Sequence, residues 1–303
     1  MKTINPSTHI SNTLFDTDEV IHRTFKPGHR CTLFYGDCIK LLKTLPAGSV
    51  DLIVTSPPYN MSKEYEKTLD RNDYYLTQKK IITECTRVLK HTGSICWQVG
   101  NYVKKGEIIP IDIMLYPIFN ALKLQMRNRI VWHFGHGLHA SKRFSGRYET
   151  IMWFTKSNDY YFNLDPVRIP QKYPHKKHFK GTKKGQFSCN PKGKNPSDVW
   201  DIPNVKSNHV EKTDHPCQFP VALVERLVLA MTQDNDLVLD PFMGTGSTAI
   251  ASLKNNRRSV GAEINKNYCA IAKKRIHMTF NKSIRIRKLE QPIYQPTFLS
   301  VTP

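Results

Sequence analysis

The chain has 303 residues, of which 39% are hydrophobic, and it contains no apolar run near the roughly 18 residues of a membrane-spanning helix. An excess of 45 Lys and Arg over 25 Asp and Glu gives a net charge of +20, which indicates a polyanionic partner, although ribosomes or an acidic membrane surface would attract it equally. Seven scattered cysteines without a Cys-x-x-Cys pair, and no signal-peptide pattern after Met1, argue against disulfides, structural zinc and export, and predict a cytoplasmic protein.

The predicted elements begin after residue 30, since residues 1–30 have mixed composition and no clear period. Strand-like and helix-like patterns then alternate, which predicts an α/β sandwich around a mostly parallel sheet, with an antiparallel strand near 148–155. The predicted strands are 31–37, 50–55, 94–99, 129–134, 148–155, 236–240 and 259–263. The predicted helices are 38–45, 73–91, 108–125, 220–232, 247–255 and 266–278.

The strand at 50–55 runs into a rigid polar and aromatic turn, Ser56-Pro57-Pro58-Tyr59. This turn lies at the carboxyl end of a buried strand, which is the edge of an open α/β sheet where ligands bind. Prolines have no N–H, so the turn offers carbonyl acceptors, to which Ser56 adds a hydroxyl and Tyr59 a flat ring. This combination suits the amino group of a nucleobase swung out of its stack, although an ordinary turn with a chance Pro-Pro pair would look the same.

A second strand, 236–240, ends in Asp240 and a glycine loop that precedes an alanine-rich helix. Gly244 and Gly246 would let a ligand approach the backbone, and the N-terminus of the following helix presents N–H groups. The next strand ends in Glu263, 23 residues after Asp240, where nucleoside-cofactor folds place a carboxylate that binds ribose. The loop and the second acid together are more specific than either alone.

The Thr-Ser-Pro-Pro-Tyr turn and the Asp-Pro-Phe-x-Gly-x-Gly loop together resemble the S-adenosylmethionine-dependent DNA amino-methyltransferases, which methylate cytosine N4 or adenine N6. Their order, with the catalytic turn before the cofactor loop, is similar to the permuted β group of that family. The resemblance covers residues 31–278 and includes Asp37 after the first strand and the segment 215–220. At Phe219 in that segment, the family pattern usually has Lys.

The resemblance implies a class I methyltransferase fold in permuted order: a doubly wound, mostly parallel, seven-stranded sheet with a basic target-recognition insertion. If strands 236–240 and 50–55 are neighbours where the strand order reverses, the two motifs share one crevice. The implied divisions are an N-terminal arm (1–30), a catalytic part (31–156), a target-recognition region (157–215), a cofactor-binding part (216–280) and a C-terminal tail (281–303).

The resemblance also implies roles for individual residues. The expected catalytic residues are Ser56, Pro57, Pro58 and Tyr59. The residues expected to bind S-adenosyl-L-methionine are Asp37, Asp240, Phe242, Gly244, Gly246, Ser247, Thr248 and Glu263. In the expected mechanism, the Ser56 hydroxyl and the Pro57 carbonyl hold the amino hydrogens of the base, so that its delocalised lone pair can attack a methyl group, while Tyr59 stacks on the base.

Between 157 and 215 the hydrophobic periodicity disappears, and cationic side chains accumulate among Gly, Pro and Asn. Aromatic residues, Trp200 among them, are interleaved with the cations, a combination that suits phosphates and stacked bases. A solvated loop or a disordered linker would have a similar composition. In the resembled family this interval recognises the target sequence. The residues expected to bind DNA are Lys142, Arg143, Arg147, Lys176, Lys177, Lys183 and Lys184.

Three histidines, His133, His136 and His139, precede the first of these cations. The glycines between them and the lack of an acidic neighbour indicate a loop rather than a metal-binding helix face. We therefore expect no metal site, and we expect these side chains to contact the DNA backbone or to border the target pocket.

Serine at the first position of the turn is usual in the family's cytosine enzymes, and Asp or Asn in its adenine enzymes. Methylation of cytosine N4 in duplex DNA is therefore favoured, with adenine N6 as the alternative. An RNA or protein-amide methyltransferase and a non-catalytic nucleic-acid-binding module are more distant interpretations. We also expect a companion restriction endonuclease that acts on the same site. The protein is expected to be a monomer or a homodimer and not to associate with a membrane.

Overall fold

The computed structural model describes residues 20–59, 70–135, 137, 139–289 and 291, so most of the predicted N-terminal arm, His136 and the end of the predicted tail lie outside it. Within these residues, no helix is long and apolar enough to cross a bilayer. The strands are β1 (Cys31–Tyr35), β2 (Val50–Thr55), β3 (Leu89–Val99), β4 (Asn101–Lys104), β5 (Glu107–Pro110), β6 (Gln125–His133), β7 (Tyr148–Thr155), β8 (Val199–Asp201), β9 (Leu237–Asp240) and β10 (Arg258–Glu263). The helices are α1 (Cys38–Leu42), α2 (Arg71–Val88), α3 (Ile111–Ala121), α4 (Val221–Met231), α5 (Ser247–Lys254) and α6 (Lys266–Phe280).

Eight strands form one sheet in the order β1, β10, β9, β2, β3, β7, β6, β8. The first five run parallel, β7 is antiparallel to both β3 and β6, and β8 is parallel to β6. The antiparallel strand expected near 148–155 is therefore confirmed as β7. The expected seven strands become eight because β8 adds an edge strand of three residues, which is too short to give a periodic hydrophobic signal.

The sheet is buried on both faces, as a doubly wound fold requires. In β2, Ile53 packs into a core cluster that includes Phe119 of α3. Leu52 and Val54 face a second cluster, which includes Leu227 of α4. Because successive side chains alternate between two apolar layers, β2 is a continuous hydrophobic run in the sequence.

The helix expected over 108–125 is shorter than predicted, because its first residues belong to a hairpin. β4 and β5 pair around a two-residue turn in which Lys105 and Gly106 have φ values of 49° and 87°. Positive φ at both positions matches the twist of a two-residue hairpin and favours glycine. As a result, α3 begins only at Ile111.

Strands β2 and β9 are neighbours, with Leu52 paired to Val238 and Ile53 to Leu239. On one side of this pair the sheet continues through β3 and β7, and on the other side through β10 and β1. Strand order therefore reverses between β2 and β9, and loops leaving such a pair of strands diverge to form a crevice. The predicted adjacency of the two motif-bearing strands is confirmed.

Candidate active site

A cavity of about 150 Å³ lies at the carboxyl edge of the sheet, between the loops that follow β2 and β9. The turns after β1 and β10 and the segment before α4 complete its walls. The lining residues that the sequence analysis named are Asp37, Ser56, Pro57, Pro58, Tyr59, Phe242, Gly244 and Glu263. Lining residues that it did not name as site residues include Gly36, Cys38, His215, Cys217, Asn265 and Tyr268.

Asp240 joins the two motifs from behind the cavity wall. Its carboxylate is fully buried, and it accepts hydrogen bonds from the hydroxyls of Thr55 and Thr248, each at 2.6 Å. The Phe242 N–H donates to the same carboxylate at 3.0 Å. Burial raises the pKa of Asp240 to about 6, although these donors favour the charged form. Because Thr55 immediately precedes the Ser56 turn, one carboxylate holds both loops.

Four residues predicted to bind the cofactor do not lie on the cavity wall, namely Asp240, Gly246, Ser247 and Thr248. Gly246 has a φ of 86°, and a Cβ at this position would lie 3.4 Å from the Ala272 side chain in α6. Ser247 and Thr248 are buried in the first turn of α5. The start of α5 packs beneath the loop and against α6, and cofactor binding by these four residues stays a prediction.

Glu263, at the end of β10, is a carboxylate on the cavity wall that also holds the glycine loop. One oxygen accepts from the Gly244 N–H at 2.9 Å and the other from the Asn265 N–H at 2.7 Å. Gly244 has a φ of 54°, which glycine adopts without strain. Burial raises the pKa of Glu263 to about 7, and the backbone donors oppose this rise. The charge of this wall therefore changes near neutral pH.

Two rings and a second acid extend the same wall. His215 and Tyr268 lie with ring centroids 4.4 Å apart. Asp37 lines the cavity while its carboxylate caps α1 by accepting from the Ile39 N–H at 2.8 Å. Carboxylates and flat rings around one small cavity suit the hydroxyls, amino group and heterocycle of a nucleoside. His215 could have been identified from the sequence, because it begins the segment 215–220 that contributes to the family resemblance.

Gly261 is a structural requirement that the sequence analysis missed. A Cβ at this position would collide with the Met243 side chain and with the Asp240 carbonyl oxygen. Only glycine lets the loop cross β10 this closely, and the sequence signal that could have identified it was a glycine inside a buried strand pattern.

Phe219, where the family pattern usually has Lys, is 9% exposed and packs in the second core cluster. It contributes packing rather than charge.

On the opposite wall, hydrogen bonds tie the Ser56 turn to β3 and β7. The Tyr59 hydroxyl shares a hydrogen bond of 3.1 Å with Ser56 Oγ. It is also within donating distance of Gln98 Oε1 at 2.9 Å and Glu149 Oε2 at 3.0 Å, and the Gln98 amide donates to Glu149. Burial and then the charge of Glu149 raise the pKa of Tyr59 well above its usual value, so the phenol stays protonated.

The two proline carbonyls of the turn have different surroundings. The Tyr74 hydroxyl of α2 donates to the Pro58 carbonyl at 2.9 Å, so this oxygen already has a protein partner. Ser56 and Pro57 line the cavity.

Gln98 was not among the predicted site residues, although it lies near the end of the strand predicted at 94–99. A polar residue at the carboxyl end of a buried strand was the signal that could have identified it.

Residues 168–194, named here the basic arm, fold back on themselves like a hairpin. Ile169 and Lys194 form a bridge at its base, and Lys177 and Phe187 form a second bridge nearer its tip. No Asp or Glu occurs between residues 166 and 197. The predicted DNA-binding lysines of the arm, all exposed, are Lys176, Lys177, Lys183 and Lys184.

Trp200 does not belong to this exposed surface. Its ring is 7% exposed, and its Nε1 donates to the Ser197 carbonyl at 2.7 Å. Together with Val167 it packs in the second core cluster beside Trp132. The expected stacking role of Trp200 is therefore wrong, because apolar residues scattered along an irregular segment reach the core without giving a periodic signal.

The loop 134–147 joins β6 to β7 and carries the other predicted DNA contacts, Lys142, Arg143 and Arg147. At its start, His133 Nδ1 lies 2.5 Å from the carboxylate of Asp201 in β8. The acidic partner that the sequence did not place beside this histidine thus comes from a distant strand. Among the residues that the structure describes, no three His, Cys, Asp or Glu side chains form a group that could hold a metal ion.

A mostly parallel sheet with a cavity at its switch point, walled by carboxylates, rings and a glycine loop, is the architecture of class I methyltransferases. The PvuII DNA methyltransferase, described as cytosine-N4-specific, has this fold with a TM-score of 0.64, 19% identity, and coverage of 86% of this chain and 95% of its own. A DNA modification methylase from Thermus thermophilus, solved with S-adenosyl-L-methionine, has a TM-score of 0.58, 26% identity, and coverage of 82% and 95%.

Sequence comparisons identify the family. The family model for N6 and N4 methyltransferases, described as DNA methylase, matches residues 50–274. The type II methyltransferase M.BglII of Bacillus subtilis is 51% identical over 258 residues, which are 85% of this chain and 72% of that protein. The DNA adenine methyltransferase YhdJ of Escherichia coli (strain K12) is 32% identical over 259 residues, 83% and 84% of the two chains. The chain therefore belongs to the N6/N4 DNA methylase family.

Proposed function

We propose that this protein transfers a methyl group from S-adenosyl-L-methionine to the exocyclic N4 amino group of cytosine at a specific site in duplex DNA, with the target base flipped out of the helix. The observation that carries the proposal is the Thr55 to Asp240 hydrogen bond of 2.6 Å, which holds the Ser56 turn and the glycine loop around one cavity. Membership of the N6/N4 DNA methylase family gives the class of reaction. The two facing walls supply a place for each reactant.

The wall formed by the loops after β9, β10 and β1 would hold S-adenosyl-L-methionine. Glu263 offers carboxylate oxygens to ribose hydroxyls, Asp37 offers an acceptor to the adenine amino group, and Phe242 gives an apolar surface. Gly244 lets the backbone approach the bound molecule. When bound, the cofactor supplies an electrophilic methyl group on a sulfonium sulfur. Asp240 fixes the loop through its hydrogen bond to the Phe242 N–H.

The wall formed by the Ser56 turn would hold the target base. An aryl amino group is a weak nucleophile because its lone pair is delocalised into the ring. The Ser56 hydroxyl and the Pro57 carbonyl accept its two hydrogens, which favours a more tetrahedral nitrogen with a localised lone pair. Tyr59 presents its ring to the base, with its hydroxyl held by Glu149. Positioning and electrostatic stabilisation account for the rate enhancement.

The transfer needs no covalent enzyme intermediate. Cys38 lines the cavity, but burial raises its pKa to about 12, so that it remains a thiol at neutral pH. A thiol is a poor nucleophile compared with a thiolate. The role of the chain is therefore to align the amino nitrogen and to accept hydrogen bonds from its N–H groups. The nitrogen–methyl bond would form as the sulfonium–methyl bond breaks, the sulfur would leave as a neutral thioether, and the surplus proton on nitrogen would pass to solvent.

Adenine N6 is the second candidate target. It is supported by the similarity to YhdJ, a DNA adenine methyltransferase, at 32% identity over 83% of this chain. Serine at position 56, in place of Asp or Asn, supports cytosine instead. The likeness to the cytosine-N4-specific PvuII enzyme, at 19% identity, is a likeness of fold and does not decide between the bases.

The duplex would be bound by the loop 134–147 and by the basic arm. Their exposed Lys and Arg side chains neutralise phosphates, and the arm's freedom from acidic residues avoids repulsion along its length. In this proposal the region 157–215 recognises the target bases. Residues 31–156 form the catalytic part of the methyltransferase domain, and residues 216–280 form its cofactor-binding part. Relatives named as type II methyltransferases support a restriction-modification role in the cytoplasm, with a companion endonuclease acting on the same site.

The proposal is tested by expressing the protein in cells that lack DNA methylation. Long-read sequencing should report one modified sequence context, and mass spectrometry of digested nucleosides should detect N4-methylcytosine, at a much lower level for Ser56→Ala. Finding only N6-methyladenine would show that adenine rather than cytosine is the target, while methyl transfer to DNA would still hold. Intact DNA binding with no methylated base would favour the non-catalytic module, and transfer to RNA or protein alone would contradict the choice of DNA.

A further inference from the structure

Phe144, in the loop 134–147, is the most exposed of the large hydrophobic side chains that the structure describes. Its side chain is 99% exposed, compared with 83% for Phe179 at the tip of the basic arm. Single exposed hydrophobic residues are common on protein surfaces and need no explanation by themselves. Its position on the sheet and its charged neighbours distinguish Phe144.

The loop lies at the same edge of the sheet as the cavity. Thr150, near the start of β7, pairs with Val99 at the end of β3. β3 is parallel to β2, whose carboxyl end leads into Ser56. Glu149, the second residue of β7, accepts from the Tyr59 hydroxyl at 3.0 Å. The loop therefore leads directly into the wall that would hold the target base.

The neighbours of Phe144 in the chain are cationic. Arg143 and Arg147 lie within three residues of it, and no Asp or Glu occurs between Asp112 and Glu149. The Arg143 guanidinium donates to the Phe144 carbonyl at 3.1 Å, which keeps this cation beside the ring's own backbone. Cations on either side of an exposed ring suit a surface on which two phosphates flank a base step.

The loop presents this ring on a closed frame. The Phe134 N–H donates to the Arg147 carbonyl at 2.8 Å, and the Ala140 N–H donates to Ser145 Oγ at 3.1 Å. Phe134 also packs edge-on against Trp132, with ring centroids 5.1 Å apart. Because the two ends of the loop are bonded to each other and Phe134 packs against Trp132, the backbone that carries Phe144 is anchored to β6 and β7.

We propose that Phe144 is a wedge that enters the base stack of duplex DNA and fills the space vacated by the target base. This inference rests on the proposed function, since it requires a base that leaves the helix. Flipping forfeits stacking and pairing, and an apolar side chain inserted between base steps replaces part of the lost contact. Because the Phe144 ring is almost fully exposed, it loses no packing within the protein when it enters the base stack. In the same arrangement, Arg143 and Arg147 contact the flanking phosphates.

The test compares single-turnover methyl transfer on two duplexes that contain the mapped target site. In one the target base is paired normally, and in the other it faces an abasic position, where flipping costs less. Phe144→Ala should slow transfer roughly 10- to 100-fold on the paired duplex and less than about threefold on the abasic duplex. Phe144→Trp, which keeps a flat apolar ring, should restore most of the rate.

Phe179→Ala is the matched control, because it removes an exposed ring from the basic arm instead. We expect it to change the rates on the two duplexes by the same factor. A fluorescent base analogue at the target position gives a second measurement, and its signal on binding should fall with Phe144→Ala. Unchanged melting temperatures would verify that both variants are folded, as expected for exposed side chains.

Equal rates for Phe144→Ala and the unmodified protein on the paired duplex would overturn the wedge. So would an equal loss on both duplexes, since that pattern indicates a contact unrelated to flipping. Failure of the proposed function has a different signature. In that case the unmodified protein transfers no methyl group to either duplex, whichever residue stands at position 144.

Discussion

The acids around the cavity are held by hydrogen bonds within the protein, whereas the lysines of the basic arm face water. Asp240 is fully buried beneath three donors, and Glu263 is 9% exposed and accepts from two backbone N–H groups. Lys183 and Lys184 are exposed on an arm closed by the bridge between Ile169 and Lys194. Preorganised buried charge controls geometry and chemistry, while exposed charge acts over distance and is screened by salt. Mutations in the two regions should therefore have different signatures.

Ser56→Ala should give the largest change, because it removes an acceptor from the target wall without disturbing the basic arm. We expect kcat to fall by about 100- to 1,000-fold, as for the loss of one preorganised polar group. The dissociation constant for duplex DNA should change little. Thr83→Ala, which removes an exposed hydroxyl from α2, is the control. An equal loss of DNA binding and turnover by Ser56→Ala would contradict the proposed division of roles between the cavity and the basic arm.

Asp240→Ala should lower the free energy of unfolding by about 3 kcal/mol, because three buried donors lose their acceptor. Urea denaturation followed by circular dichroism measures this change. Asp234→Ala is the matched control, since Asp234 is 64% exposed and pairs with Arg257 at the surface. Its effect should stay within about 0.5 kcal/mol. Similar values for the two variants would contradict the role of Asp240 as the link between loops.

Replacing Lys176, Lys177, Lys183 and Lys184 together with Ala should act on DNA binding alone. The slope of the logarithm of affinity against the logarithm of salt concentration should fall by up to about 3.6, at roughly 0.9 per phosphate contact. Fluorescence anisotropy across a salt series measures the slope. The same loss of net charge on α2 and α6, by Lys79, Lys80, Lys273 and Lys274 to Ala, should leave the slope nearly unchanged. Equal effects of the two sets would mean that only net charge matters.

Glu263 should give the smallest effect, and one that depends on pH. Its pKa is raised from an ordinary 4.5 to about 7, so between these values the folded state binds more protons than the unfolded chain. Stability without cofactor should therefore fall as pH rises through this window. Cofactor affinity should change in the opposite direction and increase roughly tenfold from pH 6 to pH 8, as the carboxylate ionises. Calorimetric titration of Glu263→Gln should show weaker binding without this pH dependence.

Much of the fold followed from local sequence patterns. The apolar runs at β2 and β9 and the alternation of strands with helices predicted an α/β sandwich around a mostly parallel sheet, because burial on both faces requires continuous hydrophobic strands. The hairpin at Lys105 and Gly106 was missed, since the tendency to form a turn there was hidden beside a longer helical pattern. Trp200 was missed for a related reason, because a strand of three residues has no measurable period.

Some residues of the candidate site could be predicted from adjacent sequence, whereas others are brought together only by the fold. The sequence by itself determined the two motifs, because the chemistry of prolines, glycines and acids at a strand end is contained in a few adjacent residues. Only the tertiary structure decided which residues complete the walls. Asp240 bonds to Thr55 across 185 positions of the chain, and Glu149 bonds to Tyr59 across 90. Such partners depend on how the strands are ordered in the sheet, and no short window of sequence contains that order.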